Sequence, residues 1–195
     1  MAKAPVAGLA KTRLIPALGA EGAAALAARM LAHAVREALA AGLGPVTLCG
    51  APDVSHPAFT ALATDPRLSL HPQGEGDLGA RMRRAFERAL ASCDSAVLIG
   101  TDAPDLDAAV LRAAADALAT HDAVFAPAHD GGYALIGLRR AESRLFDAMP
   151  WSTSQVMAIT RERLREGGLR WHELPPLHDI DEPADLVHLA GRGWA

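Results

Sequence analysis

Ala96-Val97-Leu98-Ile99-Gly100-Thr101-Asp102-Ala103-Pro104-Asp105-Leu106 is the stretch that decides the fold. Four consecutive apolar residues closed by Gly100 suit a strand covered on both faces, because a half-exposed strand alternates polar with apolar. The Thr-Asp turn that follows leads into a helix predicted over 107–119. Upstream, residues 21–41 carry Arg29, His33, Arg36 and Glu37 on one helical face, with Ala27, Leu31, Val35 and Ala38 opposite. Short strands are expected at 46–49 and 68–71, joined through one helical turn near Phe59. A helix over 77–91 would align Leu78, Met82, Ala85, Phe86 and Ala89. Downstream come strands at 123–126 and 133–138, a helix over 154–166, a strand at 169–172 and a short helix after Pro183. This order of strand and helix predicts an α/β sandwich of three layers around a mainly parallel sheet, with ligand beyond the carboxyl ends of the strands. Residues 1–195 are expected to form a single domain.

Composition narrows the function classes. The chain has 195 residues, half of them hydrophobic and 22% charged, with a net charge of −4. An acidic chain is poorly suited to non-specific attraction to nucleic acid or to a membrane surface, so any anion site must be local. Aromatic residues are 4% of the chain, too few for the stacking platforms of single-strand nucleic-acid binders. Cys49 and Cys93 match neither a paired metal motif nor a disulfide scaffold, and both read as reduced core thiols. None of the eight histidines has HxxxH spacing or a nearby Cys partner, which disfavours zinc. No uninterrupted apolar run of membrane length and no signal peptide is evident, which makes the cytoplasm the expected compartment.

Five segments carry candidate chemistry. Lys3-Ala4-Pro5-Val6-Ala7-Gly8-Leu9-Ala10-Lys11-Thr12-Arg13 gathers three cations around a glycine, an anion-binding arrangement of point charges, a planar fork that can hold two phosphate oxygens and approachable backbone N–H groups. It is not a Walker A loop, since Ala10 stands before the lysine. Its plain alternative is a solvated basic turn. Gln73-Gly74-Glu75-Gly76-Asp77-Leu78-Gly79 contains a literal GxGxxG, yet a dinucleotide site there would leave the Lys3, Lys11 and Arg13 cluster idle. Its bland reading is a turn with Asp77 as helix N-cap. Asp102 at the strand end can offer hard oxygen to Mg²⁺ or Mn²⁺. Asp130-Gly131-Gly132-Tyr133 makes a good hairpin turn and could also face a polar acceptor. Asp181, in Asp179-Ile180-Asp181-Glu182-Pro183, is either a second metal ligand or the cap of the helix that Pro183 starts. Ser152 and Gln155 read as a capping box, which makes Ser152 structural.

Taken in order, KAPxxGxxKTRL, QGEGDLGxRM, GTDAPDL, PAHDGGYALIGL, MPWST and DIDEPADL resemble the small bacterial glycosyltransferases of the GT-A, nucleotide-diphospho-sugar transferase fold. One branch of that family is linked to arsenosugar biosynthesis, and its superfamily includes the guanylyl- and cytidylyltransferases of cofactor pathways. The resemblance implies a GT-A-like, Rossmann-like sandwich and a metal-dependent transferase using a nucleotide sugar, or an NTP, and a small-molecule acceptor. It implies that Lys11 and Arg13 hold nucleotide phosphates and that Lys3 to Gly8, including Ala4 and Pro5, wrap the nucleotide. Asp102 and Asp181 would then hold the metal, with Gln73 and Asp77 near the nucleoside and Asp130 to Tyr133 near the acceptor, Asp130 as base or orienting group. Only Met1 and Ala2 precede Lys3, whereas the family begins with a longer apolar strand, so the first strand is expected to be cut short. Nucleotidyl transfer and a non-catalytic nucleotide-binding module remain the rival readings.

Overall fold

A computed structural model describes residues 1–190 and Trp194. The chain runs β1 (Ala2–Lys3), α1 (Ile15–Ala41), β2 (Val46–Ala51), α2 (Pro57–Thr60), β3 (Leu68–Pro72), α3 (Leu78–Leu90), β4 (Ala96–Ile99), α4 (Ala108–Leu118), β5 (Ala123–Pro127), β6 (Tyr133–Leu138), α5 (Val156–Glu166) and β7 (Trp171–Glu173). Short 3-10 helices occupy Thr12–Leu14, Ser143–Leu145 and Pro183–Leu189. It divides into two compact units, each assembled from separate stretches: Met1–Pro72, Gly100–Ala108 and His178–Ala195 in one, Gln73–Ile99 and Ala109–Leu177 in the other.

The first unit holds a fully parallel sheet ordered β1-β2-β3, with Ala2 opposite Gly50 and Val46 opposite Leu68. Leu31 and Val35 of α1 pack with Ala2, Ala4, Leu48, Phe59 and Leu68. Nearer the start of the same helix, Ala23, Leu26 and Met30 close on Leu14 and Ile180. That second cluster matters for the site, because it fixes the chain three residues after Lys11 and one residue before Asp181. In α1, Pro16 stands in the first turn of a short segment, where a missing N–H costs nothing. The helix is interrupted after it at Gly19, whose φ of 72° and ψ of 166° are not helical, so its continuous stretch starts close to the expected residue 21. Its polar face is less exposed than its pattern predicts. Glu37 accepts the Ala108 N–H at 3.2 Å and His33 meets the Trp194 ring edge-on at 4.9 Å. By length and composition alone Thr12–Ala41 is apolar enough to cross a membrane, its most apolar window reaching a mean hydropathy of 1.3, although no uninterrupted apolar run of membrane length lies within it, since Arg13, Glu21, Arg29 and Arg36 break it.

The second unit holds a mixed sheet ordered β4-β6-β5-β7. β6 is antiparallel to both neighbours, with Ile136 opposite Leu98 and Phe125, and β5 and β7 are parallel. The hairpin at 128–132 forces that reversal, since two strands joined by a tight turn run antiparallel. Phe86, Phe125, Ile136, Leu138, Leu145 and Leu164 form its core. Leu78, expected on the buried face of α3, is 43% exposed. Neither cysteine is in a disulfide, but only Cys49 is buried, so Cys93 is not the core thiol expected.

Candidate functional site

In the first unit β1 hands the chain to a loop that turns back at Lys11. Lys3 donates its ammonium to the Leu9 carbonyl at 2.7 Å, closing the loop on itself, and Gly8 takes a positive φ of 79° within it. Lys11 adopts φ 44°, ψ 49°, a left-handed conformation that costs an L-residue with a Cβ roughly 1–2 kcal/mol. That backbone sends its side chain inward, where it is 6% exposed. The ammonium donates to Asp102 Oδ1 at 2.5 Å, to the Ile180 carbonyl at 2.6 Å and, more weakly, to Asp181 Oδ1 at 3.4 Å. An ammonium has three protons, and all three find protein acceptors here. Arg13 points outward, 66% exposed, its nearest carboxylate Glu182 at 3.9 Å.

Asp102 follows β4 by three residues, and its carbonyl accepts the Ile180 N–H at 2.9 Å, which ties the strand end to the Asp181 segment. The two aspartate side chains are each about half exposed. Partial burial, and after it the charge of Asp102, push the Asp181 carboxyl above its usual range against the pull of Lys11 and Arg13. The capping alternative for Asp181 does not hold. Glu182 is the N-cap of the Pro183 turn, and Asp185 accepts the N–H groups of Asp181 and Glu182 at 2.9 and 2.7 Å. The Asp181 carboxylate is thereby left to Lys11. Among the described residues no group of three or more His, Cys, Asp or Glu side chains forms a metal cage. The acidic pair is nevertheless a hard-oxygen donor set of the kind that suits Mg²⁺ or Mn²⁺, which fill their shells with water and phosphate oxygens.

The remaining candidates belong to the second unit. Asp77 is the N-cap of α3, accepting the Ala80 N–H at 2.8 Å, as the plain reading of that segment expects. Gln73 is 9% exposed. Arg84 donates to the Gln73 and Glu75 carbonyls at 2.5 and 3.0 Å, and Arg81 donates to the Gly76 carbonyl at 2.9 Å. Gly74 permits this: a Cβ there would lie 2.6 Å from Arg84 Nη1. These two arginines escaped the sequence reading, although side chains in the first turns of a helix lean back toward its N-terminus and a loop there is within their reach.

In the hairpin, Asp130 accepts the Gly132 N–H at 2.8 Å, and the Gly131 carbonyl accepts the Met157 N–H at 2.8 Å. Gly131 has φ 91°, and a Cβ on it would lie 2.3 Å from the Ser154 carbonyl oxygen. The turn is therefore seated directly on the chain that enters α5. Tyr133 packs edge-on against Phe125 and Trp151, and its hydroxyl and the Trp151 indole nitrogen are both buried without a hydrogen-bond partner among the described residues. Burial raises the Tyr133 phenol well above its usual range. The expected Ser152–Gln155 capping box is absent: Ser152 has φ 64° and Gln155 is itself the N-cap. Thr153 takes over, donating to the Pro150 carbonyl at 2.8 Å and receiving the Gln155 N–H at 3.4 Å.

Residues 21–153 match the family described as "Uncharacterized protein conserved in bacteria (DUF2064)". The chain belongs to this family. The crystal structure of a "putative nucleotide-diphospho-sugar transferase" from Desulfovibrio desulfuricans G20 is 32% identical, with a TM-score of 0.89 over 97% of this chain and 84% of that one. This DUF2064 chain therefore has the nucleotide-diphospho-sugar transferase fold, the mixed α/β architecture expected from its sequence. More distant likenesses extend to fold alone. A CMP:2-keto-3-deoxy-manno-octonic acid synthetase complexed with CTP is 12% identical, TM-score 0.56, over 82% of this chain and 85% of that one. A cytidylyltransferase from Leptospira borgpetersenii serovar Hardjo-bovis (strain JB197) is 13% identical, TM-score 0.55, over 82% and 73%. No curated protein matches.

Proposed function

We propose that this DUF2064 protein is a metal-dependent glycosyltransferase that moves a sugar from a nucleotide-diphosphate sugar to a small-molecule acceptor. The observation that carries the reading is the convergence of Lys11, Asp102 and Asp181, residues from three motifs separated by 91 and 170 positions from Lys11. Distant parts of a chain that bring two carboxylates and a cation together at a strand end suit a site that handles a charged phosphate group. The 32% identity to the Desulfovibrio protein supports the same class. The narrower affiliation, with the branch linked to arsenosugar biosynthesis, rests on the order of the six motifs.

Asp102 and Asp181 would hold Mg²⁺ or Mn²⁺, which supplies positive charge to a departing diphosphate. Lys11 and Arg13 add protein charge to the same end of the donor, and the backbone from Lys3 through Ala4 and Pro5 to Gly8 wraps the nucleotide. Gln73 and Asp77 face the nucleoside. Asp130 orients or deprotonates the acceptor hydroxyl, with Gly131, Gly132 and Tyr133 around it. The cytoplasm suits a nucleotide-sugar enzyme.

Nucleotidyl transfer would use the same cations with an NTP, and product analysis separates the two. Incubation with nucleotide sugars and Mn²⁺ should release a nucleoside diphosphate. Pyrophosphate released from an NTP in the presence of a sugar phosphate would instead establish nucleotidyl transfer, and binding without turnover in either assay would leave a nucleotide-binding module.

A further inference from the structure

The Lys11 ammonium bonds one oxygen of each carboxylate in the acidic pair, and this has a thermodynamic consequence. Its protons are spent on Asp102 Oδ1 at 2.5 Å, the Ile180 carbonyl at 2.6 Å and Asp181 Oδ1 at 3.4 Å. The side chain is 6% exposed, while Arg13, two residues on, is 66% exposed. The backbone at Lys11 accepts left-handed geometry to bring this about, φ 44° and ψ 49° at a residue that has a Cβ. Leu14 and Ile180, both fully buried in one cluster, hold the two sides of the arrangement in place.

We infer that Lys11 is the resident cation of the Asp102–Asp181 pair and competes with the divalent metal for it. The inference rests on the reading that this pair is the metal site. Two carboxylates half exposed to solvent gain from a neutralising charge, and the chain supplies one of its own. A divalent cation arriving alone must displace that ammonium, which then has no equally good acceptor. A diphosphate arriving with the metal gives the released ammonium new oxygens. Metal and diphosphate thus favour one another through Lys11, in addition to their direct contact, and by linkage the coupling is reciprocal. The pair remains poorly available to free Mg²⁺ or Mn²⁺ and becomes available when substrate comes with it.

The test measures Mn²⁺ alone, by electron paramagnetic resonance of the unbound ion, on the full chain and on Lys11→Gln and Lys11→Gly. Glycine suits the left-handed backbone, so at least that variant is expected to fold, and thermal melting of each checks this. Without any nucleotide, both variants should bind Mn²⁺ at least about tenfold more tightly than the wild-type chain, equivalent to about 1.4 kcal/mol. Adding Asp102→Asn to Lys11→Gln should abolish that binding. If the double variant binds Mn²⁺ as tightly as Lys11→Gln, at the same stoichiometry, the pair is not the metal site and both the reading and the inference fall. If Mn²⁺ binding depends on Asp102 but the Lys11 variants bind no more tightly than wild type, the metal reading stands and the competition is refuted.

Discussion

Gly131→Ala is the substitution whose cost can be worked most directly from the structure. The new Cβ would lie 2.3 Å from the Ser154 carbonyl oxygen and 2.6 Å from Ser154 Cα. Both are backbone atoms, and the adjoining Gly131 carbonyl is already bonded to Met157 N at 2.8 Å, so the turn cannot slide away without breaking that bond. Forcing extra volume into such a seat costs about 1–3 kcal/mol. The φ of 91° adds the left-handed penalty, roughly 1–2 kcal/mol for a residue with a Cβ. Together they predict a loss of about 2–5 kcal/mol. For a chain of this size each kcal/mol moves the melting point by roughly 2–4 °C. Gly132→Ala is the internal control: it lacks a positive φ, and its Cβ would meet only Asp130 Oδ1 at 3.2 Å, a side-chain atom that can yield. Urea and thermal unfolding of the two variants side by side should give a large loss for the first and under about 1 kcal/mol for the second. Equal, small losses would refute the direct seating of the hairpin on Ser154.

Tyr133→Phe should leave stability unchanged or raise it, by up to about 1–3 kcal/mol, because it deletes a buried hydroxyl that has no partner among the described residues. If that hydroxyl serves the acceptor, the acceptor KM rises while the melting point does not fall; a lowered melting point would mean the hydroxyl is already satisfied. Arg161 bonds both Glu173 oxygens, at 2.8 and 2.7 Å, and this holds the carboxyl below its usual range. Its contribution is therefore present above the ordinary carboxylate pKa and lost as pH falls through the lowered value. The pair is partly exposed, so Glu173→Gln should cost about 0.2–1 kcal/mol at neutral pH and nothing in strong acid, and a constant cost at all pH values would contradict the ion pair. Asp102→Ala should abolish metal-dependent turnover while the circular dichroism spectrum stays native; unchanged metal dependence would remove Asp102 from the metal site.

The sequence carried the elements better than the wiring between them. β4 and β6 fall on 96–99 and 133–138 as expected, and α3 ends where the Met82–Phe86 face runs out. But β4 is not the doubly covered strand of a parallel sheet that its apolar run predicts. It stands at the end of the order β4-β6-β5-β7, antiparallel to β6, with all four residues only partly buried, because an apolar run records residue type and not position in the sheet. The turn at Ser152 was misread, since a capping box and a left-handed serine followed by a Thr153 turn share the same polar residues, and only backbone geometry separates them. Of the site, the residue types and their place at strand ends were legible. That Lys11 is buried while Arg13, two residues on, is exposed was not, because it depends on a positive φ at a lysine, which no spacing encodes. The arginine pins on the Gln73–Gly76 carbonyls were hidden for a similar reason: their partners are backbone atoms, which every sequence supplies alike.

Anomalous diffraction from crystals grown with Mn²⁺ and a nucleoside diphosphate tests the proposed site most directly. One manganese peak should lie between the carboxylates of Asp102 and Asp181, with the Lys11 ammonium turned away from them onto diphosphate oxygen. A manganese peak elsewhere, with Lys11 still bound to both carboxylates while the diphosphate occupies another surface, would contradict it.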